Sequence, residues 1–150
     1  MEWLQASPDH HFIRYTDPLY PELLCQIKQP PFALFIKGDL ALLNEAQIAI
    51  VGSRQPTATG KQVAFNFAAD LCRLGLTVTS GMAKGIDGCS HRGALSVLGN
   101  TIAVLGHGFD TVYPAQHKEL AAEIANSGAL VSEFLPDVQP KGDHFPLRNR

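Results

Sequence analysis

At 150 residues with 45% hydrophobic content, the chain suits one compact domain with a core of ordinary size. No run of about 18 apolar residues occurs, and the opening MEWLQASPDHHF lacks the basic-then-apolar order of a signal peptide. Membrane insertion and secretion are therefore not indicated, and a cytoplasmic setting is expected. A net charge of −2 argues against coating nucleic acid by bulk attraction.

Residues 1–46 read as a lead-in arm. DPLYPELL and KQPPFALFIKGDLALL carry prolines that stop helices and short apolar runs that need a partner surface. A short helix is expected near Pro21 to Ile27 and a strand near Ala33 to Lys37, packed against the main sheet rather than forming a second domain. Cys25, Cys72 and Cys89 have no paired spacing, which suits reduced thiols in a core.

From Gln47 to Arg150 a strand, a glycine turn and a helix recur about every 25 to 28 residues, the rhythm of βαβ units. QIAIVG (47–52), LTVTSG (76–81), TIAVLG (101–106) and ALVSEF (129–134) are short, β-branched and apolar, as strands covered on both faces are. The first helix places Ala64, Phe67, Ala68, Leu71 and Leu74 towards the sheet, with Thr59 as N-cap and Gly75 as its stop. Asp87 and Gly99 bound the second helix, and Gly128 closes the third. These features predict an α/β fold, a right-handed, doubly wound or three-layer parallel sheet with an N-terminal extension. The last strand would lie at an edge or beside further chain. HFPLRNR looks as if it leads into another element, so a truncated chain is expected.

In such a sheet, ligands sit beyond the carboxyl ends of the strands, where helix N-termini present free N–H groups. Gly52, Gly81, Gly85, Gly106 and Gly108 fall in those loops and allow close backbone approach to an anion. Ser53, Ser80 and Arg54 add side-chain donors. Seven of the 12 basic residues, Arg54, Lys61, Lys84, Arg92, Lys141, Arg148 and Arg150, lie in or just after these connections.

Standard nucleotide motifs fail. Gly60-Lys61 is followed by Gln62 instead of Ser or Thr, and GHGFDT is a G-x-G-x-x-T after the third strand rather than a dinucleotide fingerprint after the first. The histidines are scattered without metal spacing, so no metal and no cofactor are proposed. Asp87 and His91 share a helix face, which would suit an acid/base pair, but an N-cap and a polar residue at the rim are the expected roles. A strand of unstacked bases fits better. Arg54, Lys61, Lys84, Lys141 and Arg148 could neutralise phosphates, while Phe145, His144 or Tyr113 could stack on bases.

Taken together, YPELL, PPFALFIKGDL, AIVGSR, GLTVTSGMAKGIDGCSHRGAL, TIAVLGHGFDTVYPAQHKEL, GALVSEF and FPLRNR resemble, in order, the DNA-processing protein A family, also called Smf or DprA. The resemblance covers roughly residues 18 to 150. It implies a Rossmann-like domain, not an enzyme, that binds and protects single-stranded DNA during natural transformation and helps load the RecA recombinase. It assigns Gly52, Ser53 and Arg54 to a phosphate, with Lys141, Phe145 and Arg148-Asn149-Arg150 gripping backbone and stacking a base. Gly81 and Gly85 join this expected DNA-binding set through their loop. Family members continue into strands implied to carry homodimerisation and the RecA contact, so both are expected to be impaired here. The alternatives are a nucleotide-binding module and an enzyme that cleaves nucleoside monophosphates, although the latter's Pro-Gly-Gly-x-Gly-Thr run is absent.

Overall fold

The computed structural model describes residues 2–150. In chain order, helix α1 (Glu2–Gln5), strand β1 (His10–Arg14), helix α2 (Glu22–Cys25), strand β2 (Ala33–Gly38) and a 3₁₀ turn (Leu40–Asn44) come first. Strand β3 (Gln47–Ala49), helix α3 (Ala58–Arg73), strand β4 (Thr77–Ser80), helix α4 (Ile86–Leu95) and strand β5 (Thr101–Leu105) follow. A second 3₁₀ turn (Ala115–His117), helix α5 (Lys118–Ser127), strand β6 (Ala129–Ser132) and helix α6 (His144–Arg148) complete the chain.

These elements form an α/β fold around one six-stranded sheet of order β1-β2-β6-β5-β4-β3. β3 to β6 are mutually parallel, as their buried apolar runs predict. Because they are laid down in one direction across the sheet, right-handed crossovers place α3, α4 and α5 on the same face. There Ala68 and Ala94 pack on Val78, and Leu120, Ala121 and Ile124 pack with Ala103, Leu105 and Leu130. α2 and the first 3₁₀ turn cover the opposite face, where Leu24, Leu42 and Leu43 join Ile36, Ile102 and Val131. Three layers result.

The lead-in arm does more than pack on the sheet, because it extends it. β2 lies antiparallel to β6, with Ile36 opposite Val131, and β1 lies antiparallel to β2. The expected edge strand β6 is consequently interior, and all four of its residues are buried. β2 has the alternating burial of a strand, whereas β1 escapes a sequence reading because only Ile13 of HHFIR is buried.

The helix boundaries also differ in detail. Thr57, not Thr59, caps α3, its Oγ1 accepting from Gly60 N at 3.0 Å. Gly75 ends the helix at φ +85° as expected. Phe67 and Leu74, expected to face the sheet, are 54% and 78% exposed. Alanines 64 and 68 take the buried positions, since α3 lies so close to α4 that a side chain at Gly93 would strike the Phe65 backbone. α4 starts after Gly85 and stops at Leu95, so Asp87 lies inside its first turn and Gly99 lies beyond its end. The three cysteines are free and half-buried. Among the described residues, no helix is long and apolar enough to cross a membrane.

Candidate nucleic-acid interface

The chain leaves the sheet after β3 once Ile50 N has donated to Thr79 O at 3.0 Å. The turn that follows is fixed from two sides. Ser53 Oγ accepts from Gln55 N at 3.0 Å, and Ser53 O accepts from Ile86 N, the first amide of α4, at 3.1 Å. Gly52 lies against the Ile86 side chain, and Gly85, at φ +81°, lies against the Ser53 carbonyl. Both glycines lock the two loops together by close approach. Arg54 projects from this turn into solvent.

The second loop turns its donors inward, which corrects the expectation of an open anion cradle there. The buried Asp87 carboxylate accepts from Gly81 N and Ala83 N, both at 3.2 Å. Ser80 Oγ donates to Ile50 O at 2.6 Å. Gly81 is covered by the Arg148 guanidinium. His91, expected at the rim, is fully buried with its Nδ1 2.7 Å from Thr101 Oγ1.

α6 supplies the facing side. Its third residue is Pro146, which a first helical turn tolerates. Phe145 rests on Gly106, where any Cβ would meet the ring, and its ring centroid lies 5.5 Å from that of Tyr113. The guanidinium carbons of Arg54 and Arg148 are each 5.9 Å from the Phe145 centroid, within cation–π range.

Between the turn and α6 lies an open hollow of about 430 Å³, lined by Arg54, Tyr113, Pro140, Lys141, Gly142, Phe145, Pro146 and Asn149. Of the twelve residues singled out from sequence, Arg54, Lys141, Phe145 and Asn149 meet here, from positions almost 100 residues apart in the chain. Gly52 and Ser53 stand in the turn carrying Arg54. Lys61 and Lys84 are exposed outside the lining. Arg148 points inward to the carbonyls of Gly81 and Val104, and Arg150 pairs with Glu133 at 2.5 Å. Burial draws the Arg148 pKa below its ordinary value; Asp87 opposes that pull and the charge of Arg54 reinforces it.

Sequence reasoning missed the walls formed by Pro140, Gly142 and Pro146, whose residue types signal only a turn. A second hollow, of about 460 Å³, opens on the α2 face among Leu24, Ile27, Leu34 and Val131. Its lining is mostly aliphatic, and Arg148 and Arg150, which also line it, are accompanied there by the carboxylates of Glu22, Glu45 and Glu133, which do not suit a phosphate. The first hollow combines two exposed cations, two aromatic rings and an amide, a set that can grip backbone and stack a base.

Comparison with known proteins agrees with this reading of the fold. The chain is 45% identical over 149 residues to protein Smf of Escherichia coli, covering 99% of this chain and 40% of that protein. It is 45% identical over 132 residues to the DNA processing protein DprA of Bacillus subtilis, covering 87% of this chain and 44% of the relative. The chain thus spans less than half the length of these two curated relatives. The X-ray structure of DNA processing protein A from Streptococcus pneumoniae superposes with a TM-score of 0.90 at 38% identity, over 99% of this chain and 51% of that one. A structure of the Helicobacter pylori protein, solved for its single-stranded DNA binding mode, gives 0.80 at 30% identity, over 93% and 62%. With residues 11–150 also matching the model of the DNA recombination-mediator protein A family, the chain belongs to that family.

Proposed function

We propose that this chain binds single-stranded DNA at the carboxyl ends of its parallel strands. Arg54 and Lys141 hold backbone phosphates, Phe145 stacks on a base, and Asn149 bonds to a base or sugar edge. The observation that carries this reading is the convergence of these four side chains on one open hollow. A paired duplex hides its base faces, so a stacking platform favours the single strand. The binding mode studied in the Helicobacter pylori relative supports the same ligand.

The description of the family as a recombination mediator supports a wider role for its longer members. In that role they protect incoming strands during transformation, pass them to RecA and act as homodimers.

The test is fluorescence anisotropy of a labelled oligo-dT titrated with the chain and with Arg54→Ala at several salt concentrations, with duplex as competitor. Binding should favour the single strand and weaken with salt. Arg54→Ala should bind about tenfold more weakly and flatten the log–log salt slope by about 0.7, the value of one phosphate contact on a single strand. Absence of binding at low salt would overturn the proposal for this chain.

A further inference from the structure

Arg148 sits in the basic run that a sequence reading assigns to DNA, yet three of its five N–H donors are already engaged within the chain. Nη1 donates to the carbonyl of Gly81 and, at 2.6 Å, to that of Val104, while Nε donates to Asn149 Oδ1 at 2.9 Å. Gly81 and Val104 follow Ser80 and Ala103, the last pair of the β4–β5 ladder, beyond which β5 pairs only with β6. The guanidinium therefore bridges the two strands where their own ladder stops. Gly81 must be glycine for this to happen, since a Cβ there would occupy the guanidinium's place.

The rest of α6 is seated from the same bridge. His144 Nδ1 lies 3.2 Å from Gly106 O, and its ring stacks on Phe134 at 4.2 Å between centroids. Phe145 lies on Gly106, and Asn149 N donates to Phe145 O at 3.1 Å, closing the last turn. Charge-assisted bonds to carbonyls are strong, and a planar guanidinium holds its geometry better than a flexible ammonium.

We propose that Arg148 is a positioning residue. It fastens α6 across the end of the β4–β5 ladder and so holds Phe145 beside Arg54 as the stacking platform, instead of holding a DNA phosphate. This inference rests on the single-strand reading above for its binding consequences, but not for the fastening itself.

Two measurements separate these parts. Hydrogen exchange without DNA should show faster exchange of the α6 amides in both Arg148→Ala and Gly81→Ala. Unchanged protection in both variants would overturn the fastening. Titration with oligo-dT across salt concentrations should show binding about tenfold weaker in each variant, the order of one lost stacked base, with the salt slope of the parent chain retained.

In a Phe145→Leu background the same substitutions should add little, because Arg148 acts through that ring. A slope reduced by about 0.7 in Arg148→Ala, or full additivity with Phe145→Leu, would instead make Arg148 a phosphate ligand. Should Arg148→Ala fail to fold, Gly81→Ala, which keeps every charge, gives both readings. If the parent chain binds no single strand, the functional reading falls while hydrogen exchange still decides the fastening.

Discussion

His91 has no exposed surface, although Cys89-Ser90-His91 reads as a polar helical turn. Thr101 Oγ1 donates its own hydrogen to Val78 O at 2.7 Å, so the His91 ring donates from Nδ1 and leaves Nε2 buried with no partner among the described residues. Burial, with smaller contributions from the charges of His117, Arg92 and Arg148, lowers its pKa from 6.5 to about 3. Burial also lowers His107 and His117. The native state thus keeps His91 neutral where the unfolded chain takes up a proton. Its contribution to stability is complete above pH 6.5 and is lost as pH falls towards 3, at about 1.4 kcal/mol per pH unit. His91→Asn, which retains a donor near Nδ1, should flatten the dependence of denaturation midpoint on pH between 6 and 4 by about one proton's worth. An unchanged slope would show that another group sets the acid limit. Residue types revealed Arg54, Lys141 and Phe145 as candidates, but not the direction of Arg148, because that depends on which carbonyls lie within its reach.

At the scale of elements, the contact between α3 and α4 explains where periodicity misled. Ala64, Ala68 and Ala94 are buried, and Gly93 touches the backbone of Phe65, so the helices approach at a distance that leaves no space for large side chains. Phe67 and Leu74 are displaced outward as a result. The cost of filling this contact can be measured. Gly93→Ala puts a methyl group where backbone already stands and should destabilise the chain by about 2 kcal/mol, with a lower denaturant midpoint and an unchanged m value. Little or no loss would mean that the two helices can separate freely. Helices α3, α4 and α5 were legible from repeated apolar spacing and glycine stops. α6 was not, since its five residues include a proline and bury no side chain fully.

Across the whole molecule, the sheet joins the first 46 residues to the remainder. Ile13, Tyr20, Leu34, Ile36, Leu42 and Leu43 form one cluster with Ile102, Ala129 and Val131. At roughly 1.5–3 kcal/mol for each large side chain, the arm contributes on the order of 10 kcal/mol of burial, comparable with the stability of an ordinary domain. A chain beginning at Gln47 should therefore show no cooperative thermal transition by circular dichroism, and a two-state melt would make the arm dispensable. The sequence by itself determined the parallel strands, their helices, the carboxyl-end loops and the residue types in them, because these follow from local periodicity and turn chemistry. Tertiary structure alone decided that β2 would pair with β6, that Asp87 would consume the second loop's amides, and that Arg54, Lys141, Phe145 and Asn149 would share one hollow while Arg148 turned inward. Each of those outcomes depends on backbone groups brought together from distant parts of the chain, and no local pattern encodes their meeting.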